Sequence, residues 1–252
     1  GFNPRQVWFF TVLTAAISFL GYIAVRVLGT TRGVLVSGLA GAVISSTAVT
    51  LSLARTARTG GDPWPLAGAA ILAAGVSAIR VTAIVAIIAP AVLGVAGLAI
   101  LAAFAGFAAC GSLILLSRHT VSGEDAQSPR NPFEVGPLIL FAVLFAVVST
   151  VSAALSVGSS GGMVATSAIS GLFDVDIAVL SALRLLGQSA TVEAVGHAVL
   201  LALATNAIGR LSIAAAAGPV RFWLPLAGAT VAAIALGYAA FATLPHFEWP
   251  VP

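Results

Sequence analysis

The sequence predicts an all-α fold, a polytopic transmembrane helical bundle of about eight spans in two parallel four-helix repeats. Three observations predict it. The 252 residues are 60% hydrophobic and 8% charged, with a mean hydropathy of +1.11, more apolar surface than a soluble domain of that length can bury. The apolar residues fall in runs of spanning length, without the alternation of a barrel strand. A constant offset then makes the second half repeat landmarks of the first.

In order, the runs cover residues 6–28, 33–55, 65–89, 90–116, 133–157, 161–186, 191–217 and 222–244. The joints carry turn and breaker residues: Gly29 and Gly33, Gly60-Gly61-Asp62-Pro63, Pro90, Gly158 to Gly162, Gly187, and Gly218-Pro219. Residues 118–130 form the one long polar connection, a linker between a first transmembrane repeat at 1–117 and a second at 131–252. Trp8, Trp64, Trp223 and Trp249 fall at span ends, the headgroup depth that indole favours. The chain opens on Gly and enters a span almost at once, which reads as a piece of a longer protein and not as a cleaved signal peptide. All 11 basic residues are Arg, and they are scattered, so no nucleic-acid surface is expected. Counting Arg5, Arg55, Arg58, Arg118, Arg130 and Arg184 against Arg26, Arg32 and Arg221 puts both termini in the cytoplasm. One cysteine, Cys110, excludes a disulfide framework or thiolate cluster.

The repeat aligns Asn3-Pro4 with Asn131-Pro132. After a one-residue adjustment it aligns Gly29 with Gly158, Gly33 with Gly162, Ser52 with Ser181, Arg55 with Arg184 and Pro90 with Pro219. On that register Ser45 falls opposite Asp174, Thr47 opposite Asp176 and Ser77 opposite Asn206. Even span counts per half imply a parallel relation about an axis along the membrane normal.

The stretch from Gly161 to Arg184 carries two carboxylates inside an apolar span, where one ionised Asp costs roughly 2.5 to 3.5 kcal/mol. Two residues apart, Asp174 and Asp176 share a face only if the helix is broken. Asp174 lines up with Ser167, Ser170, Gly171 and Ser181 and is expected to face a polar interior; Asp176 lines up with bulky apolar residues and Arg184. Arg80 and Arg210 lie within the third and seventh spans and bring the intramembrane charge to zero. The bland reading pairs Arg210 with Asp174 or Asp176, while Arg80 snorkels or pairs across the halves. The functional reading is a carboxylate that exchanges its arginine for a cation. Asp174 and Asp176 would be its ligands or proton acceptors, Ser45, Ser46 and Thr47 its supporting oxygens, and Asn206 a hydrogen-bonding neighbour. An all-oxygen site suits Mg2+, Na+ or a proton. Glu193 and His197, one turn apart, are a candidate relay, although a first-turn Glu is also explained by the helix dipole. No phosphate loop, zinc motif or nucleophile elbow occurs, so no enzyme and no resident cofactor is expected.

The Asn-Pro opening, Ser18-Phe19-Leu20-Gly21-Tyr22, Ser45-Ser46-Thr47-Ala48-Val49, Asn131-Pro132-Phe133-Glu134, Asp174-Val175-Asp176 and Asn206 resemble the integral-membrane domain of unknown function that follows the MgtC/SapB domain in bacterial proteins. Ile177 stands where the family pattern has Ala, and Arg210 where it has Lys. The resemblance implies a bacterial inner-membrane protein associated with Mg2+ physiology and preceded by an MgtC-like domain. The expected function is a transporter or channel for a small cation. The rival is a non-transporting regulatory or anchoring module that binds a partner protein, with the bilayer and a second copy of the chain as further partners.

Overall fold

The computed structural model describes residues 33–117 and 160–244, with isolated helical positions between residues 4 and 23 and between 143 and 150. The expected spans at 6–28 and 133–157, and the linker at 118–130, lie largely or wholly outside the described residues.

Seven helices are defined among the described residues: α1 (Gly33–Arg58), α2 (Pro63–Ile88), α3 (Ala91–Ser117), α4 (Ser160–Phe173), α5 (Val175–Leu183), α6 (Val192–Ala217) and α7 (Val220–Thr243). Local chemistry sets their ends. The Asp62 carboxylate accepts from the Trp64 amide at 3.1 Å, and Pro63 occupies a first-turn position where a missing N–H costs nothing. Ala89 ends α2 because Pro90 follows. Gly187, at φ +73, turns the chain after α5. Thr191 caps α6 through the Ala194 amide at 3.2 Å. Helices α2, α3, α6 and α7 are each long and apolar enough to cross a membrane. This is an all-helical chain with membrane-spanning character.

Two apolar clusters hold the bundle, one toward each end. The first joins Ala78 to Ala89 of α2, Val92 to Ile100 of α3, α5, and Val195 to Ala202 of α6. The second joins Ala207 and Ala214 of α6, Phe222 to Ala233 of α7, Leu53 to Ala57 of α1, and Leu66 to Ala74 of α2. The offset that pairs Ser45 with Asp174 carries each piece of one cluster onto a piece of the other. The order is reversed, however. Helix α2 enters the second cluster and leaves through the first; α6 does the opposite. Helices α3 and α7 run antiparallel in direct contact: a Cβ on Gly106 would meet Ala233 and Leu236, and one on Gly237 would meet Ala99 and Ala103. The expected parallel relation is therefore corrected for the described helices, because helices paired by the offset cross in opposite directions. Each described unit, α1–α3 and α4–α7, makes three crossings if α4 and α5 count as one broken helix, and α6 starts from the end at which α2 finishes.

The same geometry rearranges the arginines. Arg55, Arg58 and Arg221 sit at the end that holds the second cluster, whereas Arg184 sits at the opposite end. The expected grouping of Arg184 with Arg55 and Arg58 does not hold.

Candidate functional site

Midway along α2 and α6 the apolar clusters give way to a polar layer of Ser77, Arg80, Asn206 and Arg210, all buried. The layer faces two helix breaks. In α1 a single residue, Ser45, leaves the helical conformation (φ −156, ψ 103). Between α4 and α5 a single residue, Asp174, does the same (φ −150, ψ 117). These are the two positions that the sequence offset pairs. The expected span at 161–186 is thus two helices, and Asp174 is the cap of the second.

Both break residues cap the segment that follows. The Ser45 hydroxyl accepts from the Ala48 amide at 3.2 Å. One carboxylate oxygen of Asp174 accepts from the amides of Asp176 and Ile177 at 2.9 and 3.1 Å. A break also frees carbonyls at the end of the preceding segment, and hydrocarbon offers them no donor. Side chains of the next crossing helix supply it. Arg80 Nη1 donates to the Val43 carbonyl at 2.7 Å, and Asn206 Nδ2 donates to the Gly171 carbonyl at 3.0 Å. Gly209 belongs to the same device, since a Cβ there would collide with the Leu172 carbonyl.

The charges then divide unequally. Arg80 grips Asp176 side-on, Nε to Oδ1 at 3.2 Å and Nη2 to Oδ2 at 3.0 Å, with both side chains buried. That fork is the strong geometry for a guanidinium and a carboxylate. Arg210 donates through Nη1 to the Ser46 hydroxyl at 3.2 Å, and its Nε has no partner among the described residues. Asn206 Oδ1 and Ser77 Oγ are likewise buried without a partner among the described residues. Asp174 lies near enough to feel the charges of Asp176 and Arg80, and Arg210 near enough to feel that of Arg80.

The two aspartates exchange the roles expected of them. Asp176 is the buried, paired carboxylate; Asp174 is half-buried and serves the backbone. The expected pairing of Arg210 with an aspartate is replaced by Arg80 with Asp176, because the break swings Asp176 toward α2. Ser45, Ser46, Asp174, Asp176, Asn206, Arg80 and Arg210 gather at the breaks, and Thr47 stands half-buried beside them in the chain. Glu193 and His197 do not join them. Both are exposed near the start of α6, where the His197 imidazole lies edge-on to Phe241 with centroids 5.4 Å apart. No group of three metal-ligating side chains occurs among the described residues. Sequence reasoning named neither Gly171 nor Gly209 as part of the break support. The available signal was the set of capping residues, Ser45 and Asp174, falling at paired positions.

The family model described as a domain of unknown function, DUF4010, matches residues 12–218. The chain belongs to that family. The DUF4010 match contains both breaks and all four intramembrane charges, and it ends at the joint before α7. It brings no MgtC/SapB segment and no activity with it. No curated protein and no solved structure matches the chain.

Proposed function

We propose that this DUF4010 protein is a membrane transporter whose site lies between the two broken helices. The observation that carries the reading is the pair of single-residue breaks at Ser45 and Asp174, each inside the first crossing of units that run in opposite directions. Inverted units with discontinuous helices are a recurrent transporter design, with substrate and coupling ions held at the unit interface near the midplane. A merely anchoring module would be expected to pair its buried charges fully, and Arg210 has no carboxylate within salt-bridge distance among the described residues.

A small cation enters this reading at Asp174, as substrate or coupling ion. Its hydrogen bonds all run through Oδ1, and it is the least buried of the four charges. Asp176 would have to release Arg80 before it could serve as a ligand. A single available carboxylate suits a proton or Na+ better than Mg2+, which favours octahedral oxygen coordination. Arg55, Arg58 and Arg221 at one end, against Arg184 at the other, favour a cytoplasmic face at the second cluster. The bacterial inner membrane and an MgtC-like partner domain remain part of the proposal through the resemblance of the Asp-Val-Asp motif.

Thiol labelling tests it. In a Cys110→Ala background, Ser45→Cys and Thr47→Cys should react with a membrane-impermeant reagent in both right-side-out and inverted vesicles. Protection from both sides, in folded protein, would remove the transport reading.

A further inference from the structure

The two arginines of the polar layer are placed alike and partnered differently. Arg80 offers Nη1 to a group at the break of α1 and its Nε–Nη2 edge to the carboxylate of Asp176. Arg210 also offers Nη1 to the break of α1, at Ser46, but on the edge that includes Nε no carboxylate of the described residues meets it. The residue that the offset places opposite Asp176 is Thr47, so the first unit has a hydroxyl where the second has a carboxylate. A guanidinium only 3% exposed, beside the amino end of a helix segment capped by neutral Ser45, makes a concentrated positive site. One turn earlier on the same face of α6, buried Asn206 holds an acceptor, Oδ1, with no donor.

We propose that Arg210 binds the carboxylate of a small solute through its Nε–Nη2 edge, and that Asn206 Oδ1 accepts a hydrogen bond from a hydroxyl or ammonium group of the same solute. The planar fork matches a carboxylate with two parallel hydrogen bonds, as it does at Asp176. The bound carboxylate takes the place that a second aspartate would fill. This names the solute class for the transport reading and rests on that reading for its purpose, though binding itself can be measured without transport.

The test is titration of the full chain in lipid nanodiscs with sodium lactate, and with sodium propionate and sodium chloride as controls at constant Na+. Lactate should bind, propionate should bind about tenfold more weakly because Asn206 keeps an unmet acceptor, and chloride should not reproduce either. Arg210→Lys keeps the charge without the fork and should weaken lactate by about tenfold or more. Thr47→Asp supplies a carboxylate within the chain and should exclude lactate while the protein stays folded, so the outcome does not depend on the arginine variant alone. Asn206→Leu should erase the difference between lactate and propionate. No lactate binding, or lactate binding indifferent to both Arg210→Lys and Thr47→Asp, overturns the proposal. Two-sided thiol access without lactate binding defeats the carboxylate site alone; lactate binding with thiols protected on both sides defeats transport alone.

Discussion

The second broken helix carries carboxylates at its break, the first hydroxyls. At the α4–α5 break an aspartate caps two amides and a second aspartate holds an arginine from the other unit. At the α1 break a serine caps one amide and another serine receives one guanidinium hydrogen bond. One backbone plan thus carries two electrostatic settings. Stability and binding need not fall to the same arginine: Arg80 is paired with Asp176 across the units, and Arg210, without a carboxylate among the described residues, is the one left to respond to a solute.

Removing the pair should break this contrast most visibly. Asp176→Ala strands Arg80 in a dry layer and is expected to cost about 3–5 kcal/mol, read as loss of thermal stability in detergent. Replacing both partners, Arg80→Met with Asp176→Leu, should recover only part of that loss, because the stranded charge is gone but the Val43 carbonyl loses its donor. Next comes Gly209→Ala, which drives a methyl into the Leu172 carbonyl and is expected to cost about 1–3 kcal/mol by overpacking. Gly75→Ala, where the nearest atoms belong to the movable Phe104 ring, should cost less in the same assay. The caps sharpen the comparison. Asp174→Ala is expected to cost about 1.5–2 kcal/mol, in the upper part of the range for a lost cap, and Ser45→Ala less, since one amide and not two loses its acceptor. Equal losses would erase the proposed difference between the breaks. Smallest is Asn206→Leu, about 0.6 kcal/mol for an interhelical hydrogen bond in a membrane, measurable as a shift in unfolding midpoint.

Much of the helix map was legible because its punctuation is local. Asp62-Pro63, Ala89-Pro90 and Gly218-Pro219 each end or start a helix where the chain chemistry requires it. The break at Asp174 was less visible, since apolar residues continue on both sides and hydropathy does not register one extended residue. Its signature was chemical: an Asp or Ser followed by a new helical run, at two positions the repeat superposes. The relative direction of the units was misread because the sequence reading lets every apolar run cross once, whereas direction is settled by which cluster a helix meets first: α2 meets the second, α6 the first. Which arginine meets which aspartate depends on how those units cross. No periodicity within α2 or α6 could have assigned Arg80 to Asp176 and left Arg210 with Ser46.

The carbonyls freed at the breaks bear on how the chain is made. Val43 relies on Arg80, and Gly171 on Asn206, so each interrupted helix depends on the one synthesised directly after it. An interrupted helix released alone from the insertion machinery would carry an unmet backbone acceptor into lipid. The first stable product of biosynthesis is therefore expected to be a hairpin, α1 with α2 and later α4–α5 with α6.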